Sequence, residues 1–274
     1  MVDVRRNTVV AYLLMSERFP FSIPNGWFQI AYSDELARGS VLPLRYFGKD
    51  LALSRAENGE IALLEEVSGA SRAWVERNRI IWAWHHGAEA PPDWEIPEVA
   101  EVSSEDWTAL ERHRWIVRTH NQEIGENAVD RAHFRYVHGT TNVPESELHL
   151  DGHIRRAVQH VRMRTPRGEV DGQIRVEAHG MGCTITRFTG ICETVLLLSH
   201  TPIDGETVDS RFSFTQKKTE AKSRVAAAVI NEVVRQMNQD IPIWEHKKYL
   251  AKPMLCDGDG PIPEYRKWAS QFYC

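Results

Sequence analysis

Apolar residues come in short runs over residues 24–90, and the rhythm then changes twice. The runs at 27–32, 41–47, 51–54 and 61–64 are punctuated by Gly48 and by Asn58-Gly59. Brief apolar runs bounded by such residues predict antiparallel hairpins. Residues 74–75 and 80–84 make a further pair around Arg77-Asn78. The stretch AEAPPDWEIPE, residues 88–98, then breaks regular structure and marks a boundary. Beyond it, 115–117 read as a strand and 121–138 as a helix. Segments 154–163, 170–177, 184–188, 194–199 and 210–214 follow, with turns at ThrProArgGly and ProIleAspGly, and predict an antiparallel sheet of five strands or more. From about 220 to 250 the period becomes helical, with Val225, Ala228, Val229, Val233 and Met237 spaced for one buried stripe. That helix crosses the sheet and delivers Asp240 near its end. The expected class is α+β, with a β region over 1–90 and a larger sheet-and-helix domain over 91–274.

Composition narrows the partners. A chain of 274 residues that is 42% hydrophobic holds one large domain or two modest ones. The net charge of −5, with both signs mixed, offers no basic face for nucleic acid. No run of 18 apolar residues predicts a membrane span. The opening MVDVRRNTVVAYLLMSERF has a short apolar stretch but no small-residue cleavage site before Ser16, Glu17 and Arg18, so it reads as an amphipathic arm. Cys183, Cys192, Cys256 and Cys274 lack close pairing, which suits free thiols in a cytoplasmic protein.

The candidate chemistry lies in DRAHFRYVH, residues 130–138, and in QDIPIWEHK a hundred residues later. His133 and His138 offer two imidazoles and Asp240 a carboxylate, the donor types that hold ferrous iron on one face and leave the opposite positions open. On a regular helix five residues at about 100° each would leave the two rings roughly 140° apart. A widened turn or a helix end at 134–137 is therefore required to bring them together. Asp130, three residues before His133, is placed to hold that ring and fix its tautomer. His85, His86, His113, His120, His149, His153, His160, His179, His200 and His246 have no ligand-like pattern and read as ordinary hydrogen-bonding residues. Trp244 reads as core, and 265–273 as an aromatic end packed on the sheet.

Asp130, His133, Phe134 and His138, then Gln239, Asp240, Ile243, Trp244 and Lys247, then Tyr265, Arg266, Lys267, Trp268, Gln271, Phe272 and Tyr273 together resemble the oxygenase subunit of Rieske non-heme iron oxygenases. Within them the chain is most similar to the 3-ketosteroid 9α-hydroxylase and cholesterol 7-desaturase branch, over most of residues 21–273. The resemblance implies a helix-grip catalytic domain with mononuclear Fe(II) on His133, His138 and Asp240. It also implies that Asp130 matches the carboxylate that links the iron site to the cluster of a neighbouring subunit in a head-to-tail trimer.

One departure stands out. The family carries a [2Fe–2S] cluster on a CxH and CxxH pair, and this sequence has neither. Residues 58–84 begin and end like the Rieske domain, but SGAS stands where the cluster loops would be. The expectation is a truncated Rieske-like region with no cluster in this chain. The leading reading is an oxygenase component that uses dioxygen to hydroxylate a small hydrophobic substrate of the steroid or polycyclic kind. Its electrons come from a partner iron–sulfur protein or from a cluster-bearing homologue in a mixed ring. The alternatives are a metal enzyme that needs no relay and a non-catalytic subunit of an intact oxygenase. The polar Arg155, Arg162, Arg175 and Arg187 on the strands do not single out a steroid.

Overall fold

The first region folds as the hairpins predict. A computed structural model describes residues 18–139, 147–165, 168–190, 192–256 and 258–274. The expected N-terminal arm falls almost wholly outside these residues, as do Pro166 and Arg167 of the first predicted turn and the side chain of Arg162. Strands β1 (Gly26–Tyr32), β2 (Ser40–Tyr46), β3 (Lys49–Arg55), β4 (Ile61–Glu65), β5 (Trp74–Arg77) and β6 (Ile80–His85) form two antiparallel sheets, ordered β2-β3-β4 and β1-β6-β5. All residues of β1 and β6 are buried, which explains their continuous apolar character. The SGAS segment is a tight turn joining the two sheets. Glu65 accepts from Gly69 N at 2.8 Å and donates its own N–H to Ala70 O at 2.9 Å, and Arg72 N donates to Leu63 O at 2.9 Å. Gly69 has φ +67°, a conformation that costs a glycine little.

The larger sheet has seven antiparallel strands: β7 (Glu111–Val117), β8 (Glu147–Asp151), β9 (Ile154–Thr165), β10 (Gly168–His179), β11 (Cys183–Thr189), β12 (Thr194–Pro202) and β13 (Val208–Gln216). Their order is β7-β13-β12-β11-β10-β9-β8. The two edge strands extend what the sequence predicts: β7 starts earlier than 115, and β8 holds only two apolar residues, too few to mark it.

Strand alternation gives this sheet two working faces. Ile185, Val195 and Leu197 pack with Trp27, Trp82 and Trp84 of the first region and with Ile96 and Val99, in one core that crosses the predicted boundary. A buried polar knot ties the same regions: Asp209 accepts from Arg114 Nε at 2.8 Å, Arg211 Nε at 3.1 Å and the Tyr46 hydroxyl at 2.5 Å. The alternate residues Leu196, Phe212 and Phe214 face the long helix.

Among the described residues five α-helices complete the fold: α1 (Ala100–Ser103), α2 (Asn121–Asn127), α3 (Arg131–Tyr136), α4 (Arg224–His246) and α5 (Ile262–Ala269). Two expectations need correction. The single helix expected over 121–138 is split at Asp130, whose carboxylate caps a new helix instead of continuing the old one. The buried stripe of α4 runs through Ala226, Ile230, Met237, Asp240 and Trp244, while Val225 is 40% exposed. Scoring apolar residues alone misplaces the stripe, because a carboxylate sits on its buried line. Trp244 joins the core as expected. The aromatic end packs Tyr265, Trp268 and Phe272 with Val129, and Trp268 Nε1 donates to Gly152 O at 2.8 Å in the β8–β9 turn.

Candidate metal centre

Three chain segments meet at one buried point. Helix α3 begins at Asp130, whose Oδ1 accepts from His133 N at 3.1 Å, so His133 stands in the first turn. The helix stops after Tyr136, and Gly139 turns the chain at φ +72°. This helix end within 134–138 solves the 140° problem: the rings of His133 and His138 lie 4.5 Å apart at 89° to one another. Asp240 arrives from α4, near the end of its 23 residues. The carboxylate of Asp130 holds the backbone of the helix that carries His133, whereas the expected bond was to the ring.

The donor atoms converge. His133 Nε2 is 2.9 Å from His138 Nε2 and 2.9 Å from Asp240 Oδ1, and His138 Nε2 is 3.4 Å from the same oxygen. Two ligand atoms at about 2.1 Å from one ion and at right angles are about 3.0 Å apart. The three separations therefore suit one face of an octahedral ion. All three residues are buried, and among the described residues they form a group whose donor atoms lie within 4.8 Å of one another. Oδ1 of Asp240 receives no hydrogen bond despite the two nearby imidazole nitrogens. A buried carboxylate oxygen without a donor is costly, and a cation among the three atoms removes that cost.

Surrounding side chains aim these donors. Gln239 Oε1 lies 3.0 Å from His138 Nδ1, so the tautomer with Nδ1–H donates to it and turns the Nε2 lone pair inward. Gln239 and Asp240 are adjacent on α4 and about 100° apart, which lets one grip the ring's far side while the other faces its near side. Asn127 Nδ2 donates to Asp240 Oδ2 at 3.1 Å and lies 3.1 Å from His133 Nε2. No spacing pattern marks Asn127, because it ends a separate helix. That helix, α2, is fixed through buried carboxylates: Glu123 meets Lys247 at 2.6 Å, and Glu126 meets Arg266 at 2.8 Å. Burial pushes the Glu123 carboxyl up, against the pull of Lys247. His246 is outside the group, its Nδ1 2.8 Å from Pro242 O.

Asp240 opens onto a cavity of about 270 Å³ between α2, α4 and the sheet. Ile174, Val176, Phe188, Leu196, Phe212 and Met237 give it an apolar wall. Such a wall has the chemistry of an apolar-ligand cavity, and it lies beside the three candidate donors. His200, also on the wall, is held neutral by burial, which lowers it to about 4. No helix among the described residues is long and apolar enough to cross a membrane.

Residues 83–273 match the family described as the 3-Ketosteroid 9alpha-hydroxylase C-terminal domain. The oxygenase component of 3-ketosteroid-9-alpha-monooxygenase from Rhodococcus rhodochrous is 32% identical over 238 residues, covering 75% of this chain and 60% of that protein. The chain thus spans about three fifths of that relative's length. Cholesterol 7-desaturase from Caenorhabditis elegans is 24% identical over 337 aligned positions, covering 93% of this chain and 78% of that protein. Among solved structures, dicamba monooxygenase bound to 3,6-dichlorosalicylic acid has the same fold, with TM-score 0.72 at 14% identity over 92% of this chain and 98% of that one.

Proposed function

This chain belongs to the 3-ketosteroid 9alpha-hydroxylase C-terminal domain family, and from that premise we propose that it is a non-heme Fe(II) oxygenase component acting on a hydrophobic substrate. The observation that carries the reading is the buried trio of His133, His138 and Asp240, with an undonated carboxylate oxygen at the edge of an apolar cavity. Iron held by these three side chains would supply dioxygen activation. The protein's own residues do the positioning. Gln239 fixes the His138 ring, Asn127 occupies the second oxygen of Asp240, and Asp130 fixes the helix of His133. Phe188, Leu196 and Met237 exclude water and leave room for an apolar body.

Oxygen activation consumes electrons that the three ligands do not provide. None of Cys183, Cys192, Cys256 and Cys274 has a His two or three residues on, so this sequence holds no CxH or CxxH pair to carry a cluster. An iron–sulfur protein, or a cluster-bearing homologue assembled with this chain, is the proposed donor. Asp130, half-buried at the start of α3 and accepting from the His133 N–H, is the residue we assign to that coupling. The test supplies purified chain with Fe(II), dioxygen, an apolar substrate and a reduced [2Fe–2S] donor. Oxygen uptake matched by hydroxylated product, abolished in His133→Ala, supports the proposal; product formation unchanged in that variant refutes it. The missing cysteine pair also favours a second reading, metal chemistry without a relay, which anaerobic turnover without any reductase would select.

A further inference from the structure

The cavity wall holds a cation that no described residue neutralises. Arg155 is the second residue of β9, paired with Ala178 of β10 and Leu150 of β8. It is 6% exposed, and its Nε is buried without a hydrogen-bond partner. Among the described residues no carboxylate forms an ion pair with it. Arg211, buried to a similar degree, shows the usual arrangement: it is matched by Asp209 at 3.1 Å and by the Tyr46 hydroxyl at 2.9 Å.

The acids of α2, the helix that lines the same cavity, are already engaged, Glu126 with Arg266 and Glu123 with Lys247. The titratable neighbour of Arg155 is Tyr265, on the same cavity wall, and burial keeps its hydroxyl protonated. It is therefore a second donor and not a counter-ion. Ala157 and Gln159, two and four residues further along β9, line the cavity too, so strand alternation turns Arg155 to the same side.

A buried, unpaired guanidinium is retained at a cost unless an anion arrives from outside. Its planar fork fits a carboxylate bidentately, and a carboxylate both accepts its hydrogen bonds and cancels its charge. A ketone or hydroxyl would do only the first. We propose that the ligand of this cavity is a largely apolar molecule bearing a carboxylate, which Arg155 receives while the apolar body reaches toward Asp240. This rests on the cavity's being the substrate site of the proposed oxygenase, and it adds a polar group that a purely hydrophobic substrate lacks.

The probes are a 3-oxo-steroid acid with one carboxylate and its methyl ester. Binding to the full chain is measured by calorimetry and by quenching of Trp244 and Trp268, which line the cavity. The acid is expected to bind at least tenfold more tightly than the ester. Arg155→Met should abolish the difference while leaving ester affinity within twofold, and Arg155→Lys should retain part of it. Equal affinity for the two probes, no binding of either, or a preference that survives in Arg155→Met overturns the assignment. Metal content measured on the same samples separates the two claims. Stoichiometric metal without acid preference removes only this inference; acid preference that depends on Arg155 in a chain that binds no metal removes only the oxygenase reading.

Discussion

Gly125 is the position where a single methyl group tests the packing behind the cavity. It lies inside α2, where alanine is favoured over glycine by about 1 kcal/mol. Helix propensity alone therefore predicts that Gly125→Ala stabilises the protein. Packing predicts the reverse. A Cβ on Gly125 would overlap the hydroxyl oxygen and Cζ of Tyr265 and come within 3.1 Å of its Cε2. Tyr265 is 1% exposed and packs with Val129, Ile262 and Trp268, so its ring has no free space to enter. Overpacking of this kind costs about 1–3 kcal/mol, and a contact with a buried ring belongs at the upper end. The net expectation is a loss of about 2 kcal/mol, a fall in Tm of roughly 4–8 °C for a protein of this size. Calorimetry of metal-free protein measures it. Tyr265→Leu, which ends short of the contact, should leave the alanine neutral or stabilising by up to about 1 kcal/mol, so the double-mutant cycle should show coupling of about 2–3 kcal/mol. A Gly125→Ala protein that melts at or above the wild-type temperature would refute the packing argument.

Two further substitutions separate neighbouring explanations. Asp130→Ala should cost about 1 kcal/mol by removing a helix cap, whereas Asp130→Ser should recover most of that stability; equal losses in chemical denaturation would show that the carboxylate acts otherwise than by capping. Burial pushes the Glu65 carboxyl up, but hydrogen bonds from Lys49, Ser68 and Arg72 outweigh it and hold the pKa at about 2 against an ordinary 4.5. A depressed carboxylate contributes stability above its unfolded pKa and loses it as pH falls through the folded one. Glu65→Gln should therefore lower stability at pH 7 and matter progressively less between pH 4.5 and 2; a loss independent of pH would count against this.

The sequence revealed what local pattern controls. Hairpins 27–32 to 80–84 were legible because each apolar run ends at a turn residue, and the long helix because its period persists for six turns. His133, His138 and Asp240 were legible from residue type and from resemblance. The break at Asp130 was not, since the same residue can continue a helix or cap one, and the choice depends on where His138 must end. The true stripe of α4 was hidden because Asp240 interrupts its apolar line. Asn127 and Gln239 owe their roles to contacts across more than a hundred residues, which no spacing rule reports. The isolation of Arg155 was equally invisible, because an arginine in a strand shows its charge but not the lack of an acid across from it.

The central claim is that His133, His138 and Asp240 hold one iron. The direct measurement is metal content after anaerobic loading with Fe(II) and gel filtration, on the wild type and on His133→Ala, His138→Ala and Asp240→Ala. The nitrosyl signal of the loaded wild type is recorded alongside. The account predicts about one iron per chain in the wild type and near zero in each variant, with a nitrosyl spectrum that changes when an apolar ligand fills the cavity. Substoichiometric iron in folded wild-type protein, or full iron content in any of the three variants, would contradict it.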